Sequence, residues 1–534
     1  FQTHSVGQVG LGPIEFAQTG QLLIGAVLGQ QSRWKFCGLA MQNLLAQATE
    51  FPTGLLPEDS TYQQLPRLSE FDGTKANLPN RVSLEQYCPE VGNQGDIFSC
   101  VGWSVGYGAL TIQRAIHNGC TDRAVITQNA HSALFIYNQI KEGDCRQGAR
   151  ISDAVRFLME HGDCLAGQFD YDRDNCQLLP DAQLQQQAQR FAIEDFLTLF
   201  DQGSSEREKI AKTKMAIARQ KPVIIGMQVR RNFYQLENAR FWWPDNGNTA
   251  PAGGHAMVVV GYDDIKGAFR LFNSWGSQWG DRGFIWVKYR DFARFCKYAY
   301  ILYLLESDQF DTPLTTDAKA AASAVQVTTA VANRPKFRPL VKLGGQFGFR
   351  QFKGWDAQQQ PQFQSAEVYF EEGYYRTEQS EWAVGQKFQL LVQTTEQDEY
   401  LYVFSIDARR NVHIHFPRKG KYNRKFRGRN ESALLLSGGA QAIIPGPQKV
   451  LKKSHAGRDK LIVLYAKKKI PHFRKLCRAA SQYNGNFVDH LWKLLEEQVV
   501  PRKEILYHPE EMSFTASTRS GRYVVPIVLE IEGN

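Results

Sequence analysis

The apolar pattern changes period once between residues 100 and 305, and this switch limits the architectures open to the chain. Ile151, Val155 and Leu158 recur at helical spacing. Cys100 to Ile116 lacks proline and carries Val101, Val105, Leu110 and Ile112, which predicts a second helix. Further on come short strand-like runs: Pro222-Val-Ile-Ile225, Ala256 to Gly261 and Phe284 to Val287. Helical and strand periods cannot share one element, so a helical half packed on a strand half is expected, an α+β arrangement.

The rest of the chain divides by composition. At 534 residues it exceeds one ordinary core. With 43% hydrophobic and 22% charged residues it is globular. Asp308 to Pro335 contains an Ala-, Thr- and Val-rich stretch with almost no charge, which reads as a linker. The expected division is 1-75 as an N-terminal extension, 76-305 as the catalytic region, 306-337 as linker and 338-534 as a mostly-β module. The extension offers an amphipathic helix over Arg33 to Thr49, expected either to regulate or to pack permanently. The last zone holds Phe388 to Val392, Tyr400 to Ile406, Val412 to Phe416, Leu461 to Tyr465 and Val524 to Leu529, separated by turn signals. That predicts a β-sandwich interrupted by one helix, Phe487 to Gln498.

Three dense motifs carry chemistry. Cys100 closes the run Gln94-Gly-Asp-Ile-Phe-Ser-Cys100. His255 follows two glycines at the start of a Val-rich strand, and Asn273 opens Asn273-Ser-Trp275-Gly276. A thiolate can attack a carbonyl, an imidazole can move the proton, and an amide can orient the imidazole. Cys100 at the first turn of a helix would have unpaired N–H groups favouring its anion. Each motif alone also has a structural reading: a core cysteine, a packed strand, a turn. Their joint occurrence in this order favours catalysis.

These motifs resemble the papain-like cysteine peptidases, the C1 papain family, over roughly residues 78 to 305. Leu78-Pro79 followed by Arg81-Val-Ser83 resembles the start of the mature domain. The resemblance implies Cys100 as nucleophile, His255 as acid–base and Asn273 as its orienter. It implies Gln94, with the Cys100 backbone N–H, as the oxyanion hole. It implies Trp275 as a cover on the His255–Asn273 bond. By the same resemblance Gly148 pairs with substrate backbone, and Ala149, Arg150, Ile151 and Ala256 border substrate. His255 lies 155 positions after Cys100, beyond the family's usual ~130–150, which implies a modest insertion around Asp201 to Glu208. The residues before Cys100 are Ile97-Phe98-Ser99, so the family's upstream disulfide cysteine is missing. The stretch from about Gly373 to Lys468 resembles an uncharacterised bacterial domain found after caspase-like and papain-like peptidases. It implies a recruiting or scaffold-binding module.

The expected function is therefore that of a bacterial cysteine endopeptidase acting on a protein or peptide. The rivals are a scaffold protein whose papain-like domain seldom turns over, and an amidase or transpeptidase. No cofactor and no metal are expected, since no Cys-x-x-Cys or His-x-x-x-His spacing occurs. His413 and His415 alternate with apolar residues and are expected to face solvent. The net charge of +9 is concentrated between Arg418 and Arg429, with seven basic residues, and at Lys467 to Lys469. A solvated loop is the favoured reading there, and nucleic acid is not expected. No apolar run is long enough to span a membrane. Nine cysteines show no disulfide framework, which leans towards the cytoplasm while leaving secretion open.

Overall fold

A helix begins at Cys100, as the pattern requires, and continues through three consecutive segments. Cys100–Gly102 is α-helical, Trp103–Leu110 is π-helical and Thr111–His117 is α-helical again. Single π turns often mark functional positions in helices. Arg123–Gln128 and Ala133–Ile140 follow, capped by the Asp122 and Ser132 side chains. Ile151–His161 ends at Gly162, whose φ of 75° only glycine adopts freely.

The computed structural model describes residues 53–68, 78–169, 176–245, 253–304 and 340–533, apart from 359, 378–381, 419–429, 436–437, 440 and 447–448. The helix expected over Arg33 to Thr49 and the linker Asp308 to Pro335 lie outside the described residues, as does the basic run beyond Arg418. Everything described belongs to one compact unit.

The strand half is one eight-stranded sheet in the order Ile193–Thr198, Cys296–Leu304, Val223–Val229, Gly253–Asp263, Ala268–Phe272, Phe284–Lys288, Phe241–Trp242. Arg81–Ser83 pairs with the end of the central strand, Val82 opposite Tyr262. The central strand is buried from His255 to Asp263, which is why its sequence reads as a continuous apolar run.

After residue 340 the chain forms two further seven-stranded sheets, so the fold is α+β with an added β-rich region. Strand Glu399–Ile406 shows how they stack. Leu401 and Val403 join Phe347, Phe349, Leu390 and Val392 of the opposite sheet in one core. Tyr400, Tyr402 and Phe404 alternate to the other face, where they join the core that runs into the region before residue 305. The sheet is thus sandwiched twice, which explains an apolar run without polar alternation. The expected helix is Phe487–Leu494. A second helix, Phe473–Ser481, and the long strand Val341–Trp355 are additional. A Cβ on Gly345 would fall 2.2 Å from the Tyr465 ring, so the glycines that weaken the strand signal there serve close packing.

Candidate active site

Cys100 is fully buried at the first helical turn. Two backbone N–H groups from outside its helix point at the sulfur: Gly54 N at 3.3 Å, and that of Ala256, the residue after His255. The helical lobe thus delivers the sulfur, and the central strand delivers the imidazole beside it. His255 is also fully buried. Its Nε2 lies 2.7 Å from Asn273 Oδ1, while its buried Nδ1 has no hydrogen-bond partner among the described residues. Trp275 stacks on the imidazole with ring centroids 4.3 Å apart and 25° between planes. Phe233 and Trp279 close around Trp275 in turn. The Trp275 ring thus lies over the imidazole that bonds Asn273.

Gln94 is fully buried and held at both ends of its amide. Its Nε2 donates to Ile97 O at 3.0 Å, and Ser274 Oγ donates to its Oε1 at 2.7 Å. Gln94 N donates to Ser274 O, and Asn93 bridges to Trp275. The Gln94 loop and the Asn273-Ser-Trp275 turn are thus one interlocked piece. Ser274, passed over as a mere spacer in the motif, is the residue that ties them together.

Burial acts on both reactive groups. It pushes the Cys100 thiol up to about 11, against the opposing pull of the N–H groups of Ala256, Gly54 and Val101. It pushes His255 down to about 4, against the opposing effect of the hydrogen bond its Nε2 makes to Asn273 Oδ1. In this state both groups are neutral at pH 7.

The cause of the burial is a segment of the chain itself. Thr53 to Pro57 runs extended through the cleft. Ala149 N donates to Gly54 O at 2.8 Å, Leu56 N donates to Ala149 O at 3.0 Å, and Leu55 N donates to Gly254 O at 3.1 Å. Gly148 is where the family resemblance placed backbone pairing; here the adjacent Ala149 makes both bonds. A Cβ on Gly148 would sit 2.2 Å from Gly54 O, and one on Gly54 only 1.7 Å from Phe98 O, so neither position has room for a side chain. The half-buried Leu55 side chain packs over Gly226 and Gly254, next to Ile151 and Tyr298. Ile151 and Ala256 thus line the occupied cleft. The Arg150 guanidinium pairs with Glu142 at 2.6 Å and Asp153 at 3.5 Å. A cleft-crossing inhibitory segment is what the family resemblance implies for residues 1 to 75; which of them enter the cleft it does not say. Gly54-Leu-Leu-Pro57, an extended apolar run before a proline, was the only local signal for that part.

Beyond the cleft, Cys145 pairs with Cys176 in a disulfide, which spacing alone did not disclose. Of the remaining cysteines, Cys88, Cys100, Cys120, Cys164, Cys296 and Cys477 are free thiols. His413 is exposed as expected, but His415 is half-buried, with Nε2 2.8 Å from Ser405 Oγ. The solvent-facing reading fails for His415 because Ser405 on the paired strand offers it a partner. Among the described residues no group of three or more His, Cys, Asp or Glu side chains could hold a metal ion. No described helix is long and apolar enough to cross a membrane.

Residues 81–301 match the model of the papain family of cysteine proteases. An uncharacterised peptidase C1-like protein of Acanthamoeba polyphaga mimivirus is 24% identical over 40% of this chain and 68% of its own length. Peptidase 1 of Psoroptes ovis is 23% identical over 44% of this chain and 70% of its own. Among solved structures, xylellain, a cysteine protease from Xylella fastidiosa, aligns with 22% identity and a TM-score of 0.40, covering 48% of this chain and 97% of its own. With its matching family model and its α+β layout of helical and strand lobes, the region 81–301 of this chain is a papain-like cysteine peptidase domain.

Proposed function

We propose that the protein is a cysteine endopeptidase that cuts peptide bonds through an acyl-enzyme on Cys100. The observation that carries this reading is the immobilised imidazole. His255 is fixed by Asn273 at 2.7 Å under the Trp275 ring, its free Nδ1 beside the strand amide that faces the Cys100 sulfur. Cys100 gives its proton to His255 Nδ1 and attacks the scissile carbonyl carbon. The C–S bond forms as the carbonyl electrons move onto oxygen. The Gln94 side-chain amide and the Cys100 backbone N–H stabilise that oxyanion. On collapse the C–N bond breaks, and His255 returns the proton to the leaving amine. Water, deprotonated by His255, then releases the acyl group and restores the thiol.

Asn273 orients the ring without adding charge, so the imidazolium is stabilised only while the thiolate is its partner. Leu55, packed against Ile151, Gly226 and Tyr298, stands where a substrate side chain would bind, and supports preference for a medium aliphatic residue.

The occupied cleft corresponds to a latent state. Gly54 presents an N–H to the sulfur and turns its carbonyl to Ala149, so no carbonyl carbon is offered for attack. Restoring water to the cleft removes the burial that holds Cys100 and His255 neutral, and the thiolate–imidazolium pair becomes accessible. The test is a peptide epoxide probe and a peptide library applied to Gly54→Val, with and without Cys100→Ala. The valine cannot sit beneath Phe98 O, so the full chain should open, label at Cys100 and cleave. Absence of labelling in an opened, folded Gly54→Val protein would defeat the reading.

A further inference from the structure

The segment that blocks the cleft does not stop at the cleft. Past Glu58 it turns through Asp59–Tyr62 and then runs between the peptidase sheet and the β-rich module. Arg67 pairs in parallel with Thr198 on one side and with Glu431 on the other. On the peptidase side, Thr198 N donates to Pro66 O at 2.9 Å and Leu68 N to Thr198 O at 2.8 Å. On the module side, Arg67 N donates to Asn430 O at 2.9 Å and Ser432 N to Arg67 O at 2.9 Å. Asn430 Nδ2 adds a bond to Gln64 O at 2.7 Å. The Arg67 guanidinium reaches Asp201 at 2.7 Å, and Leu65 and Leu68 are buried. The backbone groups available along Pro66 to Leu68 are thus shared out between two different parts of the protein.

The receiving edge is itself held firmly. Arg418 Nε donates to Glu431 Oε2 at 2.7 Å, and Arg418 Nη1 to Pro445 O at 3.1 Å. The module is seated on the peptidase independently of the segment, through Lys469–Asp195 at 2.8 Å and Lys221–Asp398 at 3.3 Å. Asn430 to Ser432 is therefore an extended stretch held beside the gap, and residues 64–68 pair with it.

We infer that the edge Asn430–Ser432 of the β-rich module is an interaction surface for the chain's own residues 64–68, and that it acts as a clasp holding the blocking strand 53–57 in the cleft. The inference rests on the proposed peptidase reading for its consequence, latency, but not for the contact. Between Pro57 and Gln64 the segment is anchored on the peptidase side. Glu58 accepts from Ser152 N at 2.8 Å and from the Tyr300 hydroxyl at 2.7 Å, and Tyr62 OH donates to Ala299 O. The segment is one continuous length from the cleft to the module edge, so loosening its far end at Ser432 lowers the cost of lifting the whole of it. The coupling is a free energy between two sites on the same segment, and it works in both directions.

The experiment uses the full chain in four forms: wild type, Ser432→Pro, Asn430→Ala and Gly54→Val. Ser432→Pro deletes the N–H that bonds Arg67 O; Asn430→Ala deletes only the bond to Gln64 O and is the milder change. Hydrogen exchange of the Leu55 and Leu56 amides reads docking of the blocking strand without reference to activity. Epoxide labelling of Cys100 reads latency. Loss of one such bond should speed exchange at Leu55 and Leu56, and labelling of Cys100, by roughly threefold to tenfold in Ser432→Pro, with a smaller rise in Asn430→Ala. If both variants fold and keep wild-type exchange at Leu55 and Leu56, the clasp is overturned, whatever Gly54→Val does. If exchange rises but neither the clasp variants nor Gly54→Val label, the clasp stands as a contact and the peptidase reading is what fails.

Discussion

His255 and His415 invite comparison because their local settings are alike and their meaning is not. Both lie on strands, both have one ring nitrogen bonded to a neutral polar side chain, and burial lowers both to about 4. His255 meets Asn273 and lies beside a helix-start sulfur, beneath a tryptophan. His415 meets Ser405 and lines an open cavity of about 630 Å³ with Asp407 and His413, with no cysteine in its lining. A perturbed histidine is thus no mark of a site by itself. What separates the two is the Cys100 sulfur across the lobe boundary, which the proposed reading makes the nucleophile.

The sharpest way to break that comparison is to exchange the expected losses. Cys100→Ala should abolish turnover, by at least about ten-thousand-fold, with little change in melting temperature. His415→Gln should leave turnover of an opened chain unchanged. Peptide hydrolysis by both variants, placed in the Gly54→Val background, decides it. If His415→Gln loses activity as Cys100→Ala does, the distinction drawn here collapses.

The next effect concerns protonation. The Cys100 thiol is raised to about 11, above its ordinary value of 9.0. A raised thiol pKa favours the protonated form, so thiolate accumulates in the closed chain only as the pH climbs towards 11. At pH 7 alkylation by iodoacetamide should then run about a hundredfold slower than for a free thiol. It should rise with pH through that range. In Gly54→Val the rate should be high and nearly flat from pH 5 to 8, where a thiolate–imidazolium pair persists. Mass-spectrometric quantification of the Cys100 adduct against pH tests both arms, and equal profiles would remove the link between burial and latency.

Asn273→Ala follows in size. The orienter matters most while the imidazolium carries charge, so kcat should fall by about tenfold or more with a smaller change in KM. Steady-state kinetics of the opened chain measures the split. An unaltered kcat would mean that Trp275 and Phe233 alone hold the ring.

How much of this was readable depends on how local each signal is. Cys100, His255 and Asn273 each sit in a dense motif, so their order and the side chains they offer are legible in the chain itself. Strand Glu399–Ile406 was legible because both its faces are buried, leaving one unbroken apolar run. Strand Val341–Trp355 was not, because Gly344, Gly345 and Gly348 dilute its pattern for reasons that lie on other strands. The Cys145–Cys176 pair and the particular residues that cross the cleft escaped for the same physical reason. Each is a contact between segments distant in sequence, and neither partner carries a mark of the other. Ser274 was in plain view, but its role is set by Gln94, 180 positions away.

Ser274 gives the smallest effect and the finest test of how the site is assembled. Its hydroxyl donates to Gln94 Oε1 at 2.7 Å, which points the Gln94 amide nitrogen the other way, towards Ile97 O and the cleft. Without that bond the amide can rotate and present its oxygen, which would repel an oxyanion instead of stabilising it. The Gln94 backbone bond to Ser274 O remains, so the loop itself stays in place. Ser274→Ala in the opened chain should therefore lower kcat by a few-fold, far less than the ~100-fold or more typical of losing an oxyanion donor outright. KM and the pH of half-maximal Cys100 alkylation should not move, since neither the packing around Leu55 nor the Cys100–His255 pair is touched. Gln94→Ala should lower kcat further, and adding Ser274→Ala to it should cost nothing more, because the serine acts only through the glutamine. A double variant clearly slower than Gln94→Ala would show that Ser274 contributes by another route, through the Asn273 turn and hence the imidazole.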